Sequence, residues 1–162
     1  MNDEIIIEVN EVFKKYDDAT VLDNVSLEIE KGKIYGLVGR NGSGKTVLMK
    51  CICGLIKPTS GEVKVAGKTV GKDVDIPEDI GVIIETPGFI PNYSGFKNLK
   101  LLASVRNKIS NEEIRKSMEI VGLEPKSRKH VGKYSLGMRQ KLGIAQAIME
   151  KPKILILDEP MN

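Results

Sequence analysis

The sequence predicts an α/β fold with an antiparallel β region near its start and a helical insertion in its second half. Two apolar runs rich in β-branched residues, Ile5–Val9 and Val21–Ile29, predict neighbouring strands. Lys33–Val38 is apolar on both faces, as in a strand buried in a parallel sheet, and a glycine-rich loop and a helix pattern follow it. A block of helix patterns and a last apolar run, Ile154–Leu157, complete the α/β order.

Local signals place the other elements. The prolines and glycine of Thr86–Ser94 predict a loop. Ser110 followed three residues later by Glu113 is the pattern of a capping box at a helix start. The remaining predicted elements are a small exposed strand, a buried strand and four helices, at Gly61–Gly67, Ile80–Ile84, Lys45–Cys53, Ser94–Arg106, Asn111–Val121 and Ser135–Met149.

The composition favours one soluble globular domain. The 162 residues suffice for a domain with a proper core. The net charge is only +3 and the lysines are scattered rather than blocked, so we expect no nucleic acid as a partner. The absence of tryptophan also argues against an aromatic platform for bases. No apolar run approaches the ~18 residues of a membrane span, and the acidic start lacks a signal sequence. We therefore expect a cytoplasmic protein.

Cys51 and Cys53 are the only cysteines in the sequence. On a helix, residues two positions apart point away from each other, so these two cannot chelate one metal together. They are predicted to be two small buried hydrophobic side chains.

The glycine-rich loop matches the P-loop pattern G-x-x-x-x-G-K-[ST]. Its glycines let the backbone wrap an anion with inward N–H groups, and the following helix adds the positive end of its dipole. Lysine at the seventh position supplies a cation for the β- and γ-phosphates, and threonine at the eighth a hydroxyl for Mg²⁺. The loop predicts a P-loop NTPase fold and ATP and Mg²⁺ as cofactors, held by Gly39, Arg40, Asn41, Gly42, Ser43, Gly44, Lys45 and Thr46.

Two acids end the Ile154–Leu157 strand. A buried parallel strand delivers such carboxylates to the sheet edge where ligands bind. With a P-loop upstream, Asp158 is predicted to hold Mg²⁺ and Glu159 to polarise the attacking water as general base.

The stretch YSLGMRQKL, Tyr134–Leu142, resembles the signature sequence of ABC-type ATPases, usually written LSGGQ. It opens a helix that leads through Lys151-Pro152 into the acidic strand, in the order that the family has. The resemblance covers nearly the whole chain and implies an ABC ATPase fold, in which Ser135 and Gly137 face the γ-phosphate bound by a second subunit. It also implies a head-to-tail dimer of ATPase subunits and an integral membrane permease, with the chain peripheral on the cytoplasmic face of the membrane.

Two departures from the family pattern narrow the resemblance. Leu136 and Met138 stand where the signature usually has Gly and Gln. The anion-facing Ser135 and Gly137 remain, so we expect function to be kept. Glu85 follows the Ile80–Ile84 strand, where the family usually has a Gln near Mg²⁺ or the water. A Glu followed by Thr-Pro-Gly-Phe-Ile-Pro resembles the bacitracin- and lantibiotic-type exporters, which implies catalytic and metal-binding roles for Glu85.

The resemblance also assigns Tyr16 a role, since the family carries an aromatic residue there that stacks on adenine.

The resemblance implies that the chain is the ATPase subunit of an exporter of peptide antibiotics or similar amphiphiles. Two alternatives stay open: a soluble ABC-type ATPase acting on ribosomes or DNA, and an ATP-binding module without turnover.

The resemblance implies a single but incomplete ABC ATPase domain over residues 1–162, truncated after the Walker B strand. Its parts are a β region and P-loop core at 1–85, a helical subdomain at 86–150 and the Walker B strand at 151–162. In the family, the next strand inserts between the strands that Lys33–Val38 and Ile154–Leu157 represent, so we expect these two about 9–10 Å apart, roughly two strand spacings. We expect that the isolated chain is poorly stable, exchanges strands with another chain, or is only part of a longer protein, and that it does not turn over ATP at a normal rate.

Overall fold

The computed structural model describes residues 4–85 and 87–159 and divides the chain into two compact units, one up to Glu78 and one from Asp79 onward. Thr86, where a predicted loop begins, and Pro160-Met161-Asn162, where the last predicted region ends, lie outside the described residues. The predicted division into 1–85, 86–150 and 151–162 stays a prediction. Among the described residues, no helix has both the length and the apolar character that crossing a membrane requires.

From residue 4 onward, the first unit contains an antiparallel sheet of four strands in the order β2-β1-β3-β4, and one helix. This confirms the predicted antiparallel β region. The bounds are β1 Ile5–Tyr16, β2 Ala19–Glu30, α1 Lys45–Ile52, β3 Ser60–Val65 and β4 Lys68–Thr69.

Apolar side chains of β1 and β3 are buried on one face of this sheet. Val9 pairs with Val63 and Ile7 with Val65, and all four side chains are buried. The register shifts between Val9 and Val12 in the pairing with β2, which keeps Val12 on the buried face although it lies three positions on. The strand predicted at Gly61–Gly67 as small and exposed is therefore an inner strand, because β1 and β4 flank it.

The prediction of a buried strand at Lys33–Val38 is wrong. Residues 33–40 form no regular secondary structure, and Ile34 and Val38 are 101% and 95% exposed. An apolar run becomes a strand only when a neighbour takes its backbone hydrogen bonds. The sheet of the first unit contains no such neighbour among the described residues. The expected spacing between this segment and Ile154–Leu157 stays a prediction.

The two cysteines lie at the end of α1, and the prediction that both are buried is confirmed: Cys51 is 0% and Cys53 2% exposed. Burial raises the pKa of the Cys51 thiol, against a smaller lowering by Lys14, and raises the pKa of Cys53 to about 12. Both thiols are therefore protonated and unreactive at neutral pH.

The described part of the second unit combines two parallel strands with three α-helices. Strands β5 and β6 pair in register from Ile80 with Ile154 to Ile83 with Leu157. The bounds are β5 Ile80–Ile83, α2 Gly95–Arg106, α3 Asn111–Ile120, α4 Leu136–Ile148 and β6 Ile154–Leu157. All three helices agree with their predicted ranges to within one residue at each end, and a short 3₁₀ turn, Val131–Lys133, precedes α4.

Leucine, isoleucine and methionine side chains of the three helices form the core of this unit, among them Leu99, Ile114, Met118 and Leu142. Serine caps start each helix: Ser94, Ser110 and Ser135 accept hydrogen bonds from the backbone N–H three residues on. These caps are local interactions, which is why the sequence pattern locates the helix starts closely.

The predicted capping box at α3 is confirmed and extended by a lysine. The Glu113 carboxylate accepts hydrogen bonds from the Ser110 backbone N–H at 3.0 Å and from Lys151 Nζ at 2.7 Å. These interactions lower the pKa of Glu113 from its ordinary 4.5 to about 2, and the hydrogen bond from Lys151 has the largest effect, followed by that from the Ser110 backbone. The pair ties the start of α3 to the residues after α4.

We predict that Glu113→Gln lowers stability at neutral pH. The folded-state pKa is below the unfolded one, so the carboxylate stabilises the fold fully above pH 4.5 and progressively less as pH falls toward about 2. Thermal unfolding across this pH range measures the difference. Glu112→Gln is the control, because among the described residues the Glu112 carboxylate forms an ion pair with Arg115 alone, at 3.5 Å. A loss for Glu113→Gln that matches the control, or does not change with pH, would contradict this account.

Candidate functional site

The P-loop residues of the first unit turn the chain into the start of α1. Gly42 and Gly44 have left-handed backbone conformations, with φ of 79° and 88°, and Gly44 is the N-cap of α1. The turn is closed by a hydrogen bond from the Ser43 N–H to the Arg40 carbonyl at 3.1 Å. Left-handed backbone is strained for side chains other than glycine, so the two glycines permit this loop.

Close packing adds a second requirement for glycine at Gly44 and a weaker one, against a movable side chain, at Gly39. A Cβ on Gly44 would lie 2.7 Å from the Val21 carbonyl oxygen and 2.9 Å from a Leu22 methyl of β2. A Cβ on Gly39 would lie 2.5 Å from Ser43 Oγ. Strand β2 therefore backs the loop and fixes where α1 begins.

Lys45 lies over the loop rather than extending into solvent. Its Nζ donates to the Gly39 carbonyl at 2.7 Å and to the Arg40 carbonyl at 3.0 Å. The first turn of α1 contains no acidic residue, so nothing there offsets the lysine charge or the positive end of the helix dipole. The loop is suited to bind an anion.

The other predicted residues of this unit are placed as follows. Thr46 is the second residue of α1 and is partly buried, while Arg40 and Asn41 are exposed. Tyr16 ends β1 with its side chain 43% exposed, and Lys14 Nζ lies 4.9 Å from its ring centroid. Its contact with adenine stays a prediction.

In the second unit, the structure brings the three predicted acids to the same edge of a sheet. The Asp158 N–H donates to the Ile83 carbonyl at 2.7 Å, which continues the parallel pairing beyond Leu157. Glu85 and Glu159 each come two residues after the last paired residue of their strands, and both have positive φ, 64° and 44°. Asp158 is half-buried and both glutamates are exposed. This is the carboxyl edge, where ligands of parallel sheets bind.

The signature stretch forms the exposed start of α4. Ser135 Oγ accepts a hydrogen bond from the Met138 N–H at 3.2 Å. Ser135, Leu136 and Gly137 are all exposed, and no atom of the described residues outside the helix would contact a Cβ on Gly137. The start of α4 is thus accessible to a ligand or a partner.

Sequence reasoning missed two residues that position the loops of this unit. The Asn98 side chain is 3% exposed and accepts from the Ile90 N–H at 2.8 Å while donating to the Ile90 and Ser94 carbonyls at 3.1 Å each. It fixes the proline-rich loop to α2. Tyr134, directly before the signature serine, is buried. Burial raises the pKa of its phenol, and a hydrogen bond with the Gly95 backbone lowers that pKa by a smaller amount. No clear local signal marked Asn98, which stands between Lys97 and Leu99 in a predicted helix.

Comparison with known families identifies the chain. The family model described as ABC transporter matches residues 22–162. The chain belongs to the ABC transporter family. The P-loop, the acidic strand and the signature start all lie within the matched residues.

Two curated relatives of this ABC family match nearly the whole chain. The uncharacterized ABC transporter ATP-binding protein YybJ of Bacillus subtilis (strain 168) is 49% identical over 157 residues, which are 97% of this chain and 72% of the relative. The bacitracin transport ATP-binding protein BcrA of Enterococcus faecalis is 46% identical over 160 residues, 98% of this chain and 52% of the relative. The predicted resemblance to bacitracin-type proteins is confirmed, and the chain spans about half the length of BcrA.

A solved structure confirms the predicted fold class. The dimeric structure of a post-hydrolysis state of the ATP-binding cassette MJ0796, bound to ADP and Pi, matches with a TM-score of 0.83 at 24% identity. The match covers 96% of this chain and 75% of that one. The chain therefore has the fold of ABC cassettes.

We predict that Gly44→Ala destabilises the protein more than Gly42→Ala. Both residues have left-handed backbones, which costs about 1–2 kcal/mol for alanine. Only at Gly44 does the added Cβ also overlap β2, whereas a Cβ on Gly42 meets no described atom within 4 Å. The overlap adds about 1–3 kcal/mol. Urea unfolding measures both, and equal losses would contradict this packing role of Gly44.

Proposed function

We propose that this chain is the ATP-binding and hydrolysing part of an ABC transporter subunit that exports peptide antibiotics or similar amphiphiles. The observation that carries the proposal is the loop Gly39–Thr46, in which left-handed glycines, an uncompensated helix start and the Lys45 ammonium converge. Such a loop binds the phosphates of a nucleotide through backbone N–H groups. The relation to BcrA supports the choice of transported substrate.

In this proposal each loop residue has a role toward ATP. The backbone N–H groups of Gly39–Gly44 donate to the phosphate oxygens. Lys45 exchanges its hydrogen bonds to the Gly39 and Arg40 carbonyls for hydrogen bonds to the β- and γ-phosphates. Tyr16 stacks on adenine, for which its half-exposed ring supplies an apolar face.

The donor set also fits Mg²⁺, a hard cation that prefers oxygen ligands. Thr46 would hold it with its hydroxyl, and Asp158 and Glu85 with their carboxylates. When bound, the ion neutralises charge on the phosphate oxygens. The placement of Glu85 and Asp158 at one strand edge supports their shared role.

Hydrolysis requires a base for the attacking water, and we assign this to Glu159, with Glu85 as a second catalytic residue. Glu159 follows the half-buried Asp158 directly and is exposed. A carboxylate next to a bound γ-phosphate accepts the water proton as the new P–O bond forms and the β–γ bond breaks.

The accessible start of α4 supports a role toward a second subunit. We propose that Ser135 and Gly137 contact the γ-phosphate bound by another copy, in a head-to-tail dimer. The dimer would act on an integral membrane permease, with the chain peripheral on the cytoplasmic face of the membrane.

Lys45→Ala should weaken ATP binding by about one to two orders of magnitude, because the phosphates lose a charge-assisted hydrogen-bond donor. Isothermal calorimetry with Mg-ATP measures this. Lys57→Ala removes the same charge from an exposed position after α1 and should leave the affinity unchanged. An unaltered affinity in folded Lys45→Ala protein would disprove the assignment of the P-loop.

A further inference from the structure

Tyr16, the candidate residue for stacking on adenine, has a lysine on one face of its ring. Lys14 Nζ lies 4.9 Å from the ring centroid. This is within the ~6 Å reach of a cation–π interaction. Tyr16 is nevertheless 43% exposed, so the ring stays open to a ligand on its uncovered side. Lys14 and a bound base can therefore occupy opposite faces of the same ring.

A backbone carbonyl holds the Lys14 ammonium in place. Its Nζ donates to the Lys57 carbonyl at 2.8 Å, and Lys14 is half-buried. Thr59, two residues further on, is itself attached to the end of β1: its N–H donates to the Phe13 carbonyl at 2.8 Å, and its Oγ1 accepts from the Lys15 N–H at 3.0 Å. The ammonium is thus fixed to a segment that is bonded to its own strand.

The charge of Lys14 is available to the ring. Within residues 4–85 and 87–159, its ammonium forms no salt bridge with a carboxylate. The Lys57 carbonyl is a neutral acceptor, which leaves the positive charge in full. A cation that is partly removed from water is attracted more strongly to the electron-rich face of an aromatic ring than an exposed one.

Strand pairing places this lysine and tyrosine close to the candidate phosphate loop. Across β1 and β2, Lys14 pairs with Leu22 and Tyr16 with Ala19. A Leu22 methyl is one of the groups that would lie too close, at 2.9 Å, to a Cβ on Gly44. Since paired strands lie about 4.8 Å apart, the backbone of Lys14 is one strand spacing from the strand that backs the loop.

We propose that Lys14 is a positioning residue for the base of the nucleotide, because its ammonium holds the Tyr16 ring in the orientation that stacks on adenine. A ring that is already fixed loses less conformational freedom when the base binds, so affinity rises without contact between Lys14 and the nucleotide. This role of Lys14 rests on the proposed function, which assigns Tyr16 to adenine and the P-loop to the phosphates.

The rival role for Lys14 is direct attraction of the phosphates, which the proposed function gives to Lys45. The Lys14 ammonium is directed to the Lys57 carbonyl and the Tyr16 ring, whereas that of Lys45 lies over the P-loop carbonyls. The two roles differ in one measurable respect. Direct attraction acts on any polyphosphate, whereas positioning of the ring acts only on a ligand that carries a base.

The test is isothermal calorimetry of the full chain with Mg-ATP and with magnesium tripolyphosphate, which has the phosphates but no base. The variants are Lys14→Gln, which removes the charge and keeps most of the stem, Lys14→Arg, which keeps a cation, Tyr16→Ala, and Lys14→Gln combined with Tyr16→Ala. Lys15→Gln is the matched control, because it removes the same charge from the next residue, which is exposed. Circular dichroism checks that each variant folds.

We expect Lys14→Gln to bind Mg-ATP about two- to fivefold more weakly, the size of a single cation–π contact, and tripolyphosphate as tightly as the wild type. Lys14→Arg and the Lys15→Gln control should match the wild type with both ligands. Tyr16→Ala should lose affinity for ATP alone, by about fivefold or more. Adding Lys14→Gln to Tyr16→Ala should change nothing further.

An equal loss for ATP and tripolyphosphate in Lys14→Gln would mean that Lys14 acts on the phosphates, and would overturn the proposal. An unchanged ATP affinity in Lys14→Gln, or a loss that persists in the Tyr16→Ala background, would overturn it as well. Failure of the proposed function has a different signature, because the wild type would then bind neither ligand.

Discussion

The left-handed backbone of Gly44 is the constraint on which the candidate site of the first unit depends. Gly44 touches β2 so closely that no Cβ fits, and its N-cap position starts α1 at the end of the loop. Lys45 can then reach back to the Gly39 and Arg40 carbonyls only because it directly follows this turn. The antiparallel sheet therefore helps to position the loop, because packing of Gly44 against β2 fixes where α1 and its dipole begin.

In the second unit, two paired strands rather than a turn position the candidate site residues. Pairing of β5 with β6 runs in register to Ile83 and Leu157, so the residues that follow emerge at one edge. Asp158 extends that pairing by one backbone hydrogen bond, and Glu85 and Glu159 leave it with positive φ. Three acids from two distant parts of the sequence are thereby collected at one place. The core of leucines and methionines under α2, α3 and α4 supports the signature start in the same unit.

Elements governed by local interactions were predictable from the sequence, and those that need a distant partner were less so. The starts of α2, α3 and α4 follow from serine caps, and the P-loop from its glycine spacing. Lys33–Val38 has the composition of a strand, but a strand also requires a paired neighbour, which no composition reveals. The buried Asn98 and the bond of Lys151 to Glu113 depend on tertiary contacts.

The central claim is that this chain recognises the polyphosphate of a nucleotide through the Gly39–Thr46 loop. Calorimetric titration of the full chain with Mg-ATP and with adenosine tests it most directly, because the two ligands share the base and sugar and differ in the phosphates. The account predicts that ATP binds at least about a hundredfold more tightly than adenosine, since the loop backbone and Lys45 contact only phosphate. Equal affinities for the two ligands would contradict it.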